Sequence, residues 1–158
     1  GGAENIKHPI LEFRSITCHA VGKSPGDPIY MEDAVNISFA YERKTDDLKL
    51  GPILRIDSLD QKVLFDSYRF RPKADFWVEK AGLYETSVVI PANTFSAGTF
   101  FVHLMLGSDT ESFFDLNYVA HFVIHLNHWE KDATWNHAGS PYPLRPALQW
   151  STRAKSSD

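Results

Sequence analysis

Two runs of strict alternation between Glu85 and Leu106 constrain this chain more than any other feature. Thr86, Val88 and Ile90 alternate with Ser87 and Val89; beyond a turn, Phe100, Val102, Leu104 and Leu106 alternate with Phe101, His103 and Met105. A period of two belongs to a β-strand with one buried face. Pro91 ends the first ladder, and Gly98 supplies permissive backbone for the second. Two strands joined in this way cannot bury their apolar faces alone, so the rest of the chain has to supply a second sheet.

Residues 10–20 put Leu11 and Phe13 in one parity and Ile16, Cys18 and Ala20 in the other. That requires either a bulge near Arg14 and Ser15 or two short strands. Residues 22–28 form a loop. Its Gly22-Lys23-Ser24 matches the end of a phosphate-binding loop, but the glycine needed five residues earlier is Thr17, and Ser24-Pro25-Gly26-Asp27-Pro28 cannot open a helix. A turn is expected there. Residues 34–42 are a strand with Val35, Ile37, Phe39 and Tyr41 on one face and Asn36, Ser38, Ala40 and Glu42 on the other, so the glycosylation sequon at Asn36 is a coincidence of a mid-strand position. Gly51-Pro52 opens a strand at 53–57, with Leu54 and Ile56 inward and Arg55 and Asp57 outward, and a turn leads to Val63-Leu64-Phe65.

Residues 68–80 interleave Tyr68, Phe70, Phe76 and Trp77 with Arg69, Arg71 and Lys73 in neither period, and read as a long loop crossing between sheets. Residues 107–117 read as a polar hairpin loop around Phe113-Phe114. The strand after it, 118–126, points Ala120, Phe122 and Ile124 inward and Val119, His121, Val123 and His125 outward. From Asn127 the chain turns rich in Trp and Pro. Trp129, Trp135 and Trp150 are costly to leave in water, so each is expected to dock on this sandwich or on a second copy, and 151–158 is expected to be disordered.

With 158 residues and 43% apolar content, one domain at 10–150 is expected, burying roughly 70% of its unfolded surface. Gly1-Gly2-Ala3-Glu4 has no signal-peptide character; residues 1–9 read as a vector scar and linker, with the expectation that the chain is a piece of something longer. A net charge of -4 without long like-charge runs does not invite nucleic acid or anionic lipid, and no apolar run reaches the roughly 18 residues of a membrane span. One cysteine, Cys18, rules out an internal disulfide framework; it reads as a buried thiol and suits a reducing compartment. Seven or eight short strands with Gly and Pro turns predict an all-β fold, an antiparallel β-sandwich of immunoglobulin-like or jelly-roll type.

The succession Gly26-Asp27, Ala34-Val35-Asn36-Ile37-Ser38-Phe39-Ala40-Tyr41-Glu42, Gly51-Pro52-Ile53-Leu54-Arg55-Ile56-Asp57, Val88-Val89-Ile90-Pro91, Ser96-Ala97-Gly98-Thr99-Phe100, Val102-His103-Leu104, Phe122-Val123-Ile124 and Leu148-Gln149-Trp150 resembles the C-terminal domain of Wzt-type proteins, the ATP-binding subunits of ABC transporters that export O-antigen polysaccharide. The resemblance spans roughly residues 10 to 150 in core and turn positions. It implies an immunoglobulin-like sandwich at the cytoplasmic face of the bacterial inner membrane, reading the modified non-reducing end of a lipid-linked glycan before export. It further implies a homodimer, in some members with an exchanged last strand, which would house the Trp-rich segment 127–150. The family shares no motif of binding residues, and no site residue is carried over from it.

Saccharide recognition needs planar and charged groups for paired hydroxyls and an aromatic ring for the apolar sugar face. If the strands of Val102 and Phe122 pair antiparallel, one outer face carries Phe101, His103, Met105, His121, Val123 and His125, joined by Arg55, Asn36 and Ser38 if their strands share the sheet. The same residues also fit an ordinary solvent face or a dimer surface. Arg69, Arg71 and Lys73, with Tyr68 and Trp77, are a second candidate set, suited to an anionic sugar. Trp129, Trp135 and Trp150 read as packing or dimer anchors. His121 and His125 lie roughly 13 Å apart on a strand, too far to share a zinc ion, and no metal or cofactor is expected. No enzyme constellation is evident: Asp57, Asp60 and Asp66 have no visible context and no Gly-x-Ser-x-Gly turn occurs. The expected function is therefore a non-catalytic carbohydrate-binding module. The alternatives are a sandwich that binds only protein, through dimerisation or docking to the transmembrane subunit of a transporter, and a metal-dependent sandwich enzyme.

Overall fold

The computed structural model of the chain describes residues 9–46, 50–67, 80–107, 112–126 and 142–155. Eight strands carry the fold: β1 Leu11–Ala20, β2 Ile29–Tyr30, β3 Val35–Arg43, β4 Gly51–Ser58, β5 Val63–Asp66, β6 Gly82–Ile90, β7 Gly98–Gly107 and β8 Ser112–His125. They form two sheets, β1-β3-β6 and β2-β8-β7-β4-β5. Every pairing is antiparallel except that of β2 with β8. This is the predicted all-β sandwich, with one parallel edge pair added where the loop after Pro28 meets β8.

Alternation decides which face each strand buries. In β3, Val35, Ile37, Phe39 and Tyr41 are buried and the residues between them are half-buried. Leu54 and Ile56 of β4, Phe100, Val102, Leu104 and Leu106 of β7, and Phe122 and Ile124 of β8 meet them from the other sheet in one core. Each such side chain contributes roughly 1.5–3 kcal/mol on burial. Phe95, between β6 and β7, packs on the five-stranded sheet, its ring centroid 4.4 Å from that of Phe100 and 5.4 Å from that of Phe122. In β1 the register against β3 shifts between Phe13 and Ser15. The parity change is thus a bulge, with Arg14 as the extra residue, ion-paired to Glu42.

Three expectations are corrected. The alternating runs around Pro91 are not partners: β6 lies in the three-stranded sheet and β7 in the five-stranded one, so residues 91–97 cross from layer to layer. Alternation reports a buried face and not which strand lies alongside. The expected loop at 107–117 is largely strand, because β8 begins at Ser112 and buries Phe114 and Leu116. Val119, expected outside, is buried, because the β7–β8 register shifts between Val102 and Leu104 and Tyr118 takes a φ of 54°. The segments holding Arg69, Arg71, Trp77, Trp129 and Trp135 lie outside the described residues.

Residues 142–147 run beside residues 93–96. Ser96 N–H donates to the Pro143 carbonyl at 3.0 Å, Arg145 N–H to Thr94 at 2.9 Å and Ala147 N–H to Asn93 at 3.1 Å, and the Ser96 hydroxyl donates to the Tyr142 carbonyl. Beyond them Trp150 is 88% exposed, so this chain's own sandwich is not its dock.

Candidate functional site

The outer face of the five-stranded sheet holds two side chains that strand parity turns toward solvent yet the fold buries. Asp57 of β4 is 1% exposed and His103 of β7 is 4% exposed. β4 and β7 pair so that Arg55 stands opposite His103 and Asp57 opposite Phe101. Arg55 and Asp57, two residues apart on one strand face, form a forked ion pair: Nε to Oδ1 at 3.0 Å and Nη2 to Oδ2 at 3.2 Å. A planar guanidinium against a planar carboxylate is the favoured geometry for such a pair.

His103 closes the cluster. Its Nε2 lies 3.0 Å from Asp57 Oδ2, close enough for an ion pair but off the line of a hydrogen bond. Its Nδ1 lies 3.0 Å from Arg55 Nη2 and 3.0 Å from Asn117 Oδ1. Arginine can only donate, so a neutral ring carrying its proton on Nε2 accepts from Arg55. A ring carrying its proton on Nδ1 donates to Asn117 Oδ1 instead and loses the Arg55 bond. Nδ1 has one site for two neighbours, and the state of the ring decides which it holds.

The β8 bulge supplies the remaining pieces. Because three residues of β8 pass His103 where a regular ladder would place one, Asn117 reaches Nδ1 while the Tyr118 ring meets the His103 ring edge-on, centroids 4.4 Å apart. Phe101 stands against Tyr118 at 5.4 Å and against His121 at 6.3 Å. Tyr118 and His121 are exposed, Phe101 is half-buried and the Arg55 side chain is partly open to water. The surface thus presents aromatic rings beside a guanidinium, an amide and an imidazole held by a buried carboxylate. Among the described residues no serine or cysteine bonds to His103.

Of the predicted face, Arg55, Phe101, His103 and His121 come together. His125 does not: it lies further along β8 beside Tyr30, ring centroids 6.1 Å apart. Asn36 and Ser38 are on the outer face of the opposite sheet, because β3 pairs with β1 and β6. There Asn36 donates to Ser38 at 2.9 Å, and Ser38 and Ser87 hydroxyls meet at 2.6 Å. Three cluster members were missed. Asp57 carried a signal, since a carboxylate two residues from an arginine in a strand shares its face. Asn117 and Tyr118 carried none, since only the bulge aims them. Among the described residues no three His, Cys, Asp or Glu groups are gathered as for a metal ion.

A cleft of about 620 Å³ adjoins the cluster at the end of β4 and β7, lined by Ser58, Asp60, Lys62, Thr99 and Tyr142 among others. Its size is in the range that takes a small ligand. Thr99 is two residues from Phe101 on the same strand face.

The sequence matches no family model. No curated protein sequence matches it either. The fold is that of the C-terminal domain of Wzt: the two structures align with a TM-score of 0.65 over 96% of this chain and 88% of that one, at 9% sequence identity. A Niemann-Pick type C2 protein from Japanese carpenter ant aligns with a TM-score of 0.49 over 78% of this chain and 98% of its own, at 12% identity.

Proposed function

We propose that the chain is the non-catalytic carbohydrate-binding module of an O-antigen ABC exporter, which binds the modified non-reducing terminus of a lipid-linked O-polysaccharide and licenses its export. The observation that carries this reading is the outer-face cluster, in which Arg55, Asn117 and His121 offer donors and acceptors beside the rings of Phe101 and Tyr118. The Wzt fold supports the same reading. Domain limits of 10–150, a partnership with the transmembrane subunit of a transporter and a place at the cytoplasmic face of the inner membrane follow as parts of it. No helix among the described residues is long and apolar enough to cross a membrane.

The test is a calorimetric or saturation-transfer titration with the O-polysaccharide of the source bacterium, capped and uncapped. Binding of the capped glycan alone, lost at least tenfold in Arg55→Ala and Tyr118→Ala, is expected. Absence of binding at concentrations well above 1 mM, about -4 kcal/mol, would sink the proposal.

One observation favours a second reading, a protein-docking sandwich. Leu148 and Trp150 are exposed on the segment that follows the backbone hydrogen bond of Ala147 to Asn93. A chain-exchanged or partner-docked tail would cover them. The two readings separate on whether a soluble glycan end competes with the partner.

A further inference from the structure

A guanidinium grips an anion with two parallel N–H groups, either Nε with Nη2 or Nη1 with Nη2, and Nη2 belongs to both grips. In Arg55 the shared nitrogen is already committed. Nε donates to Asp57 Oδ1 at 3.0 Å and Nη2 to Asp57 Oδ2 at 3.2 Å, which fills the first grip. Nη2 also lies 3.0 Å from His103 Nδ1, which accepts from it when the ring carries its proton on Nε2, and that blocks the second. Asp57 cannot step aside. Its side chain is 2% exposed, so a ligand that took its place on Arg55 would leave a buried carboxylate unpaired. The Arg55 side chain is 38% exposed. What the arrangement leaves to a ligand is Nη1, a single-point donor, with the positive charge already balanced beneath it.

The rings beside Arg55 favour the same kind of ligand. Tyr118 holds a φ of 54°, a conformation that bulky side chains rarely take and that persists where the surrounding structure over-determines it. The residue held in this way is 43% exposed, and its ring stands at 86° to that of Phe101 with centroids 5.4 Å apart. Two perpendicular rings make a corner. Aromatic faces carry the negative part of the ring quadrupole, so they draw C–H groups and repel anions. A pyranose fits such a corner by its C–H face, with a hydroxyl oxygen at Nη1. A phosphate or carboxylate would meet two ring faces, the charge of Asp57 and one donor.

We infer that the terminus read at this site is uncharged: a neutral sugar end, docked by its C–H face against Phe101 and Tyr118 and bonded through hydroxyl oxygen to Arg55, with Asp57 as the residue that excludes anionic ends. The inference rests on the glycan reading of the same cluster and names the class of end within it. Asp57 acts here through Arg55, as a specificity-determining residue that a ligand does not touch.

The test is a saturation-transfer titration of the full chain with the capped polysaccharide of the source bacterium, and with the same polysaccharide bearing either a methyl ether or a phosphate monoester at its terminal sugar. The methyl ether end is expected to bind at least tenfold more tightly than the phosphate end. Affinity for the capped polysaccharide should change less than about twofold between roughly 20 and 500 mM NaCl, since screening weakens recognition carried by charge. Asp57→Asn keeps the shape of the side chain, releases the grip of Arg55 and should raise affinity for the phosphate end at least tenfold, with an unchanged circular dichroism spectrum. A phosphate end that binds the unaltered chain more tightly than the methyl ether end, or a loss of more than about fivefold with salt, overturns the inference and leaves the glycan reading standing. A folded Asp57→Asn chain that gains nothing for phosphate removes Asp57 as the excluding residue and overturns it too. Should Asp57→Asn fail to fold, the comparison of ends and the salt series on the unaltered chain decide. Absence of binding by every end removes the glycan reading, and this inference with it.

Discussion

Asp57 is a charge in a place where charges do not survive alone. Removing its carboxylate leaves the Arg55 guanidinium without its forked acceptor and His103 Nε2 without its nearest oxygen. Breaking a buried pair from one side costs about 3–5 kcal/mol. Arg55 is partly solvated, so Asp57→Ala is expected to lose about 3 kcal/mol in urea denaturation, with Asp57→Asn losing less. Arg43 poses the opposite case. It is fully buried in the inward parity of β3, its Nε donates to the Thr45 carbonyl at 2.7 Å, and among the described residues its Nη1 and Nη2 have no partner. Arg43→Met keeps the packing and removes the desolvated charge, so stability equal to or above that of the parent chain is expected by thermal melting. Burial also pushes the Cys18 thiol up to about 12 from 9.0. Between those two values the unfolded chain releases a proton that the folded chain keeps, so folding stability falls as pH rises above 9, by up to about 1.4 kcal/mol per pH unit. Comparing the pH 8 to 11 slope of Cys18→Ala, which should be shallower, checks it.

At the scale of elements, turns and bulges decide what alternation leaves open. Gln61 closes the β4–β5 turn at a φ of 64°, in the left-handed region that L side chains disfavour. Gln61→Gly is expected to raise stability by about 0.5–1 kcal/mol, since relief of the backbone outweighs the extra entropy of glycine; a lower melting temperature would contradict this. The strands themselves were legible. Val35, Ile37, Phe39 and Tyr41 announce β3, and Leu11, Phe13, Ile16, Cys18 and Ala20 announce both β1 and its bulge, because burial on one face imposes a visible period. Sheet membership was not legible. Nothing in Val88-Val89-Ile90 or Phe100-Phe101-Val102 says that they lie in different layers, and Asn36 and Ser38 were grouped with His103 for that reason. The candidate site was half legible: Arg55, Phe101, His103 and His121 follow from parity, whereas Asn117 and Tyr118 depend on a register shift that a period of two cannot encode.

For the whole molecule, the C-terminal segment divides into a fastened part and a free part. Residues 148–155 are exposed, so a chain ending at Ala147 is expected to melt within about a degree of the parent. A chain ending before Tyr142 loses the bonds to residues 93–96 and uncovers Phe95, and should lose about 2–3 kcal/mol. The fastened part also fixes how the domain carries load. Residues 142–147 grip the connection 91–97, which passes from the three-stranded to the five-stranded sheet. Tension applied at the C-terminal end by an attached partner would therefore enter the fold at its seam, peeling three backbone hydrogen bonds in sequence before any strand of either sheet is pulled. The seam acts as a mechanical fuse: it yields first, and spares the ladder of β4, β7 and β8 that holds the candidate site.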